Sequence, residues 1–480
     1  MFIFYCILGM IELRNQNKGD KIKMSDQVKQ LQNERTQLFT DLYTGTIPKR
    51  VPINTSLPLE CMIEYAGKDL GQTQWSCEGM KAIYKNAFNL TCSDAYPASF
   101  SRYPAHFHIL QSIGFIMGSN GIIQHPEVSG MLPEDYDEFI KNPYDCLMEK
   151  IFPRLYPALD TDPIHRSMVL AKAMKAYYEY LEFYVGIDRE LINEYGFFTP
   201  PMGSSTGGTT PFDFLADFPR GFKGITMDIK RCPEKILAAC EAILPLSIKR
   251  GTPIKASPLG ANFIALHMAT YLRTKDFEKY YWPTFYKLVH GLAEKGQTCQ
   301  IFCEDNWMRY LDYLYELPQG TRFYFEYGDP KLVKEKLGKK HIISGFYPIT
   351  YLKTATKSQC VDKAKELLDI LAPGGNYWFT FDKSPYSLNT INPENYRAVL
   401  EYVRDNSNYD NAGEKVWTLP KEASIDPVLK NIPEFKSQYY TPYDEYKINN
   451  PAPRPDLDVI VGQKMQHYED MLFGMLMKMC

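Results

Sequence analysis

The sequence has no long hydrophobic run, no excess of charge of one sign and no paired-cysteine motif. Its 54 basic and 57 acidic residues give a net charge of −3, which argues against a nucleic-acid-binding role. The apolar segment Met1–Met10 is shorter than the roughly 20 residues that span a bilayer, and it lacks the basic start and cleavage site of a signal peptide. We therefore expect neither a nucleic-acid partner nor a membrane partner.

The cysteines are 11 in number, an odd count, and no two of them form a Cys-x-x-Cys pair. Scattered thiols of this kind are typical of a reduced cytoplasmic protein rather than of a disulfide framework. Met24-Ser25-Asp26 resembles a natural start better than Met1 does. Residues 1–24 are therefore interpreted as a disordered or spurious extension, and residues 1–23 are expected to be dispensable.

Several common catalytic motifs are also missing. The stretch 200–210 is rich in Gly, Ser and Thr but lacks the lysine of a phosphate-binding Walker loop, so it is either a substrate-side loop or a plain surface loop. No GxGxxG follows a predicted strand, and no nucleophile elbow is present. The 35 Tyr and 27 Phe suit a deep lined cavity for a small molecule or a large interface, which is compatible with a homodimer.

What the sequence does contain is an alternation of strands and helices in its second half. Runs with strand character are Cys299–Cys303, Arg322–Phe325, His341–Ser344 and Tyr377–Phe381, and each is followed by a helical pattern. The helices have consistent start signals, such as Asp329 before Pro330 and Asn392 before Pro393. This spacing predicts parallel βα units, with the four strands adjacent and parallel.

Polar residues collect directly after these strands. They are Cys303, Glu304, Asp305, Glu326, Asp329, Asp382 and Lys383. Because the carboxyl ends of parallel strands share one edge, these side chains are candidates for a metal site or for acid–base chemistry. An acidic surface rim is an equally open interpretation. His267 is predicted on a helix that follows a strand, Pro253–Ala256, and is either a packed histidine or a substrate-side group. The run Phe107–Phe115 is a further candidate strand.

Several local motifs occur in order along the chain. They are Phe277-Glu278-Lys279-Tyr280-Tyr281-Trp282-Pro283, Leu337-Gly338, Ser344-Gly345-Phe346-Tyr347-Pro348, Gly374-Gly375 and Pro393-Glu394-Asn395. Together they resemble the uroporphyrinogen decarboxylase superfamily, and Gln124-His125-Pro126-Glu127, Pro153-Arg154 and Arg220-Gly221-Phe222 resemble elements of a less characterised branch of it. The resemblance covers most of residues 45–405. It implies a (β/α)₈ barrel over residues 49–410, preceded by an N-terminal helix at 25–48 and followed by a tail, 411–480, that packs on the barrel.

The superfamily includes porphyrinogen decarboxylases and cobamide-dependent methyltransferases of anaerobic one-carbon metabolism, and the chain is similar in style to the second group. That similarity implies a methyltransferase moving a methyl group between a small methylated substrate or thiol and a corrinoid, carried on a partner protein. Zinc in such enzymes is bound by a His-x-Cys pair and a later Cys. Here Ile301 takes the place of that His before Cys303, and the later cysteine position falls near Asp382.

The resemblance and the strand-end pattern together give the expected site. Catalytic roles are expected for Cys303, Glu304 and His267, cofactor binding for Arg220, Phe346 and Lys383, and zinc ligation for Cys303, Glu304, Asp329 and Asp382. The alternatives are a tetrapyrrole decarboxylase and a non-catalytic tetrapyrrole-binding barrel. Against the decarboxylase, no arginine follows the first predicted strand, Val51–Ile53, and Arg50 precedes it.

Overall fold

The computed structural model describes residues 24–76, 78–99, 102–418, 429 and 432–480. The extension predicted at residues 1–23 lies outside this part of the chain, so its dispensability stays a prediction. No helix among the described residues has the length and apolarity needed to cross a membrane.

The fold is mixed α/β and mostly helical. The helices are α1 Asp26–Tyr43, α2 Leu59–Tyr65, α3 Leu70–Thr73, α4 Met80–Ala87, α5 Pro104–Ile109, α6 Tyr136–Lys141, α7 Pro143–Cys146, α8 Phe152–Leu155, α9 Pro163–Tyr195, α10 Pro211–Asp217, α11 Phe222–Arg231, α12 Pro233–Gly251, α13 Thr274–Asp276, α14 Trp282–Glu294, α15 Leu311–Glu316, α16 Pro330–Leu337, α17 Tyr351–Thr354, α18 Lys357–Leu371, α19 Pro393–Asn406, α20 Tyr443–Asn449 and α21 Asp458–Leu476.

The strands form one main sheet and two small pairs. They are β1 Leu57–Pro58, β2 Ala98–Ser99, β3 Ile116–Met117, β4 Ile123–Gln124, β5 Thr206–Gly208, β6 Asn262–Leu266, β7 Cys299–Asn306, β8 Arg322–Tyr327 and β9 Ile342–Gly345. The main sheet is five-stranded and parallel, in the order β5-β6-β7-β8-β9. The pair β1–β2 is parallel and the pair β3–β4 antiparallel.

Three of the four predicted βα strands are confirmed as adjacent and parallel, namely β7, β8 and β9. The fourth run, Tyr377–Phe381, makes isolated parallel bridges instead of a continuous strand: Tyr377 pairs with Ile343, and Phe381 with Tyr347. Phe379 also pairs in parallel with Ile53, from the first predicted strand. The parallel arrangement therefore extends beyond β9 toward the N-terminal part of the chain.

Three local predictions are wrong. Pro253–Ala256 forms no strand and His267 lies on no helix, because the strand before it is β6, which ends at Leu266. The segment Phe107–Phe115, interpreted as a strand, begins inside helix α5, whose first residue is Pro104. A proline with no N–H to lose is favoured at that position. The loop predicted at 200–210 contains β5, which pairs in register with β6, Thr206 opposite Asn262. Its small residues suit the close approach of neighbouring backbones there.

The sheet buries alternate residues against the helices. Fully buried positions on the three central strands are Ile264, Leu266, Ile301, Cys303, Phe323 and Phe325. The residues between and after them, which include Phe302 and Tyr324, are only half-buried. Since successive side chains on a strand point to opposite faces, these half-buried residues share the other face of the sheet. That face leads to the carboxyl ends of the strands, where the polar residues lie.

Candidate active site

The centre of the site is an imidazole held between two carboxylates. His267 directly follows β6, and its Nδ1 lies 2.6 Å from Oε2 of Glu304 on β7. Its Nε2 lies 3.8 Å from Oδ2 of Asp217, the last residue of α10. The first distance is a strong charge-assisted hydrogen bond, and the second is too long for one. The Nε2–H of His267 and the Asp217 carboxylate are therefore a donor and an acceptor that lie close to each other but are not hydrogen-bonded.

The strand register explains why Glu304 reaches His267. Phe302 on β7 is paired with Tyr324 on β8, and the two rings stack at 4.4 Å on the open face of the sheet. Glu304 follows Phe302 by two residues and so belongs to the same face. On β6, Phe263 and Ala265 lie on the same face by this two-residue alternation, and His267 continues it just after the strand. The stacked rings of Phe302 and Tyr324 thus lie on the same face of the sheet as Glu304 and His267, and Phe302 precedes Glu304 by two residues.

A second carboxylate fixes the turn that carries His267. Asp213 is fully buried in α10 and accepts hydrogen bonds from the Met268 backbone N–H at 3.0 Å and from the Tyr281 hydroxyl at 2.5 Å. The Thr210 hydroxyl donates to it as well, at 3.0 Å. Tyr281 is presented by a π-helical turn, Phe277–Tyr281, a local irregularity that is common near functional sites. Asp213 therefore ties α10 to the end of β6.

The charges around His267 determine its protonation. Burial by itself lowers the pKa of His267, but the hydrogen bond to Glu304 and the charges of Asp217, Glu304 and Asp213 outweigh it and raise the pKa to about 10. The pKa of Asp217 is raised to about 7, first by burial and then by repulsion from Asp213, while His267 opposes the shift. At neutral pH the site therefore holds an imidazolium beside a carboxyl group that readily exchanges its proton.

A second histidine lies within electrostatic range but is kept neutral. The His125 ring stacks on the Phe115 ring, with 4.5 Å between their centres. The Arg102 guanidinium lies 4.6 Å from the centre of the Phe115 ring. Burial, followed by the charges of Arg102 and His267, lowers the pKa of His125 to about 4. His125 is therefore a neutral donor or acceptor beside a charged His267.

The remaining strand ends contribute a linked set of charges. The Lys383 ammonium donates to Oε1 of Glu326 at 2.5 Å, and that hydrogen bond is the main cause of its raised pKa, with Asp382 and Glu304 contributing. Asp382 accepts the Ile349 backbone N–H at 2.8 Å. Burial raises the pKa of Asp382 to about 6. Glu304, Glu326, Asp382 and Lys383 therefore belong to one electrostatic neighbourhood at the strand ends.

The structure does not assemble the predicted zinc ligands. Cys303 is fully buried on the helix-facing side of β7, opposite Glu304, and burial raises the pKa of its thiol well above the usual value. Asp329 caps α16, accepting the backbone N–H groups of Lys331 and Leu332 at 2.9 and 3.2 Å. No group of three or more His, Cys, Asp and Glu side chains in the described residues is arranged to hold a metal ion. Cys303 and Glu304 therefore lie on opposite faces of β7, because neighbouring strand residues cannot share a face, and the catalytic and metal roles of Cys303 stay predictions.

The three predicted cofactor residues contact different partners. Arg220 is buried and engaged by Asp228, with its Nε 2.5 Å from Oδ2 and its Nη2 3.2 Å from Oδ1. Phe346 follows β9 and stacks on Phe325 at 5.2 Å. Of the three, Lys383 alone joins the charged neighbourhood described above. The Arg220 guanidinium is thus already paired with a carboxylate, and its role in cofactor binding stays a prediction.

Sequence reasoning identified His267 and Glu304 but missed Asp213, Asp217 and Tyr281. One signal was readable: Thr210-Pro211-Phe212-Asp213 has the cap, first-turn proline and acidic residue of a helix start, and the Thr210 side chain does accept the Asp213 N–H. A carboxylate at the start of a helix that follows a strand was therefore foreseeable. The hydrogen bond from the Met268 backbone N–H to Asp213 could not be foreseen, because it joins two segments far apart in the sequence.

We expect the charge on His267 to be measurable directly. In substrate-free protein its ring should titrate near pH 10 by side-chain NMR, whereas Glu304→Gln should bring the midpoint down, because the hydrogen bond to the carboxylate is the largest effect that raises the pKa. His125, with a pKa of about 4, provides an internal neutral reference. Since the folded pKa lies above the unfolded value of about 6.5, the stabilisation it represents is complete below that pH and lost as pH rises toward 10. A His267 midpoint near 6.5 would contradict the geometry.

Comparison with known proteins adds little to this geometry. No protein-family model matches the chain, and no curated protein matches it. A solved methyltransferase from Methanosarcina mazei aligns with 78% of this chain and 98% of its own, at 14% sequence identity and a TM-score of 0.49. A similarity at this level indicates neither a shared fold nor a shared function.

Proposed function

We propose that the chain is a methyltransferase that removes a methyl group from a small methylated compound, with His267 as the proton donor to the atom that the methyl leaves. The observation that supports this most is the His267 imidazolium, bonded to Glu304 through Nδ1 and open through Nε2. A half-buried donor that neighbouring carboxylates keep charged, at the carboxyl end of parallel strands, is suited to general acid catalysis. The stacked rings of Phe302 and Tyr324 supply an apolar surface for the rest of the substrate.

The methyl transfer balances without zinc. When methyl is transferred to a nucleophile, the carbon–heteroatom bond breaks and both bonding electrons stay on the heteroatom. The Nε2–H of His267 gives its proton to that atom, and the imidazole becomes neutral. Glu304 stabilises the charged ring before transfer and holds its orientation. Asp217, whose pKa is about 7, accepts a hydrogen bond from a substrate hydroxyl or amine and is positioned to return a proton to the ring.

The methyl acceptor in this proposal is a corrinoid carried by a separate protein, which supplies the nucleophile when it docks. Arg220, one of the residues predicted to bind it, is already paired with Asp228, which favours a corrinoid held by the partner. The zinc that activates substrates in the resembled methyltransferases does not fit the donors present, because the thiol faces the helices. The imidazolium takes the electrophilic role instead.

We further propose that the sheet closes into a (β/α)₈ barrel within residues 49–410. Support comes from the parallel bridges that continue past β9, Ile343 with Tyr377 and Ile53 with Phe379, and from the parallel bridge of Ala95 with Phe198. The Asp94 backbone N–H also donates to the Ile53 carbonyl at 2.8 Å, which joins these segments. A crystal structure with an open sheet edge at Ile53 would overturn this.

The function is tested by anaerobic incubation of the protein with free cob(I)alamin and a panel of methyl ethers, methylamines and methyl thioethers. Demethylated products are measured by mass spectrometry. We expect at least one class to lose methyl in a protein-dependent way, with a rate unaffected by prior chelation. Absence of demethylation across the whole panel, or a rate abolished by chelation and restored by zinc, would contradict the proposal.

Decarboxylation of uroporphyrinogen is the rival function, and we expect none. That substrate's carboxylates require several free cations, but Arg50 is bidentate with Asp94 at 2.8 and 2.6 Å, and Arg220 is held by Asp228. Losing two charge-assisted pairs, at about 1.5–3 kcal/mol each, weakens binding by roughly two to four powers of ten. Anaerobic incubation with uroporphyrinogen and chromatography of the oxidised products is the measurement. Conversion to coproporphyrin at an enzyme-like rate would favour the rival.

A further inference from the structure

Glu304 lies in a β-bulge. In the register of β7 and β8, Cys303 is opposite Phe325 and Asn306 is opposite Tyr327, so that two residues on β7 face one residue, Glu326, on β8. The extra residue, Asp305, has φ 59°, the left-handed region that few residues other than glycine adopt. Bulges beside active sites redirect a side chain, and strained residues persist there only when their surroundings hold them.

Contacts on both sides hold this bulge in place. Oε2 of Glu326 accepts the Asp305 backbone N–H at 2.9 Å, while Oε1 accepts Lys383 at 2.5 Å. The indole N–H of Trp307, itself fully buried, donates to the Glu304 carbonyl at 2.9 Å. The backbone of Glu304 is therefore fixed at its own carbonyl and at the following N–H, which sets the direction of its side chain.

We propose that Glu326 is a positioning residue that holds Glu304 against His267, and that Lys383 is the counter-ion that keeps Glu326 in place. The inference rests on the proposed function, because it assigns a role within that site. Both oxygens of Glu326 are already engaged, so Glu326 is not a second proton donor. Burial raises the pKa of Glu326, but the Lys383 and Asp305 hydrogen bonds outweigh it and lower the pKa. It is thus an ionised carboxylate held in one orientation.

Removing the carboxylate should release the bulge. In Glu326→Ala the Asp305 N–H loses its acceptor and the left-handed turn loses its support, so Glu304 moves away from His267. In Glu326→Gln the amide oxygen still accepts from Asp305, so most of the geometry is kept. Lys383→Met is expected to lie between the two. The matched control is Glu335→Gln, at an exposed position on α16.

The primary readout needs no substrate. The Nδ1–H of His267 in its short hydrogen bond to Glu304 should give a strongly downfield proton NMR signal, and the ring's titration midpoint reports the same contact. We expect Glu326→Ala to lose the signal and lower the midpoint, Glu326→Gln to retain both, and Glu335→Gln to match the parent. The other groups that face His267 are unchanged in every variant; they are Asp213, Asp217 and His125. A change in the titration midpoint of His267 therefore reports its contact with Glu304.

Folding is checked by circular dichroism and thermal melting. If Glu326→Ala does not fold, Glu326→Val takes its place, because a β-branched residue favours the strand yet offers no acceptor. An unchanged NMR signal in either folded variant overturns the proposal. In the demethylation assay we expect kcat to fall about 10–100-fold with KM little changed, as for a displaced catalytic group. If the NMR effects appear but the parent protein demethylates nothing, the proposed function fails while the positioning role stands.

Discussion

Replacement of His267 with glutamine is expected to reduce the demethylation rate by about 10²–10⁴-fold, the usual contribution of a general acid. Glutamine keeps a hydrogen-bonding side chain of similar reach but has no proton to give at neutral pH. The leaving heteroatom must then depart with its negative charge uncompensated. The measurement is kcat and kcat/KM for the best compound of the panel, with thermal melting to confirm folding.

The same substitution at His108 is the matched control, because that residue is exposed on α5. His108→Gln should leave the rate within about twofold, as surface changes away from the site usually do. Glu304→Gln should lower kcat by a smaller factor than His267→Gln, since it weakens the charge on the ring without removing the ring. A His267→Gln variant with a rate close to that of the parent would exclude His267 as the acid.

Replacement of Gly345 with alanine should give the largest loss of stability, about 3–5 kcal/mol. Gly345 ends β9 with φ 97°, and an added Cβ would lie 2.0 Å from the carbonyl oxygen of Phe325. That oxygen accepts the Phe346 backbone N–H at 3.0 Å, so moving it breaks the pairing of β8 with β9. Urea unfolding measures the effect, with the slope checked for unchanged two-state behaviour.

Gly374→Ala separates the clash from the backbone strain. Gly374 also has a positive φ, 75°, but nothing lies within 4 Å of an added Cβ. Its substitution should therefore cost only the left-handed strain of a non-glycine residue, about 1–2 kcal/mol. Equal losses for the two variants would show that the contact with Phe325 is relieved easily. The clash would then not explain why glycine stands at position 345 in Ser344-Gly345-Phe346-Tyr347-Pro348.

Much of the sheet was readable from the sequence because its signals are local. Caps such as Asp329 and Asn392, first-turn prolines and apolar periods predict where helices begin, and strands β7, β8 and β9 lie where the pattern indicates. The strand predicted at Tyr377–Phe381 was less accurate, because this run makes only isolated bridges. The segment that begins in helix α5 was predicted to be a strand. Over so short a stretch, His106, Phe107 and Phe115 fit both the two-residue repeat of a strand and the 3.6-residue repeat of a helix.

The site was readable only in part. Cys303 and Glu304 were both chosen for their place after a strand, yet the two-residue repeat of a strand allows only one of them to lie on the same face as His267. Ile301 is fully buried whereas Phe302 is half-buried, which decides in favour of Glu304. That decision needed the helices to be in place, because either face of β7 is apolar enough to be buried.

The sequence by itself determined the parallel βα units, the strand ends where polar residues collect, and His267 and Glu304 as candidates. Only the tertiary structure decided which groups meet. Asp217 and Asp213 approach His267 from α10, and Glu326 and Lys383 hold the bulge from two other strand ends. The physical reason is that strand and helix signals are short-range, whereas a charged site is built from contacts between segments far apart in the chain, whose distances follow only from packing.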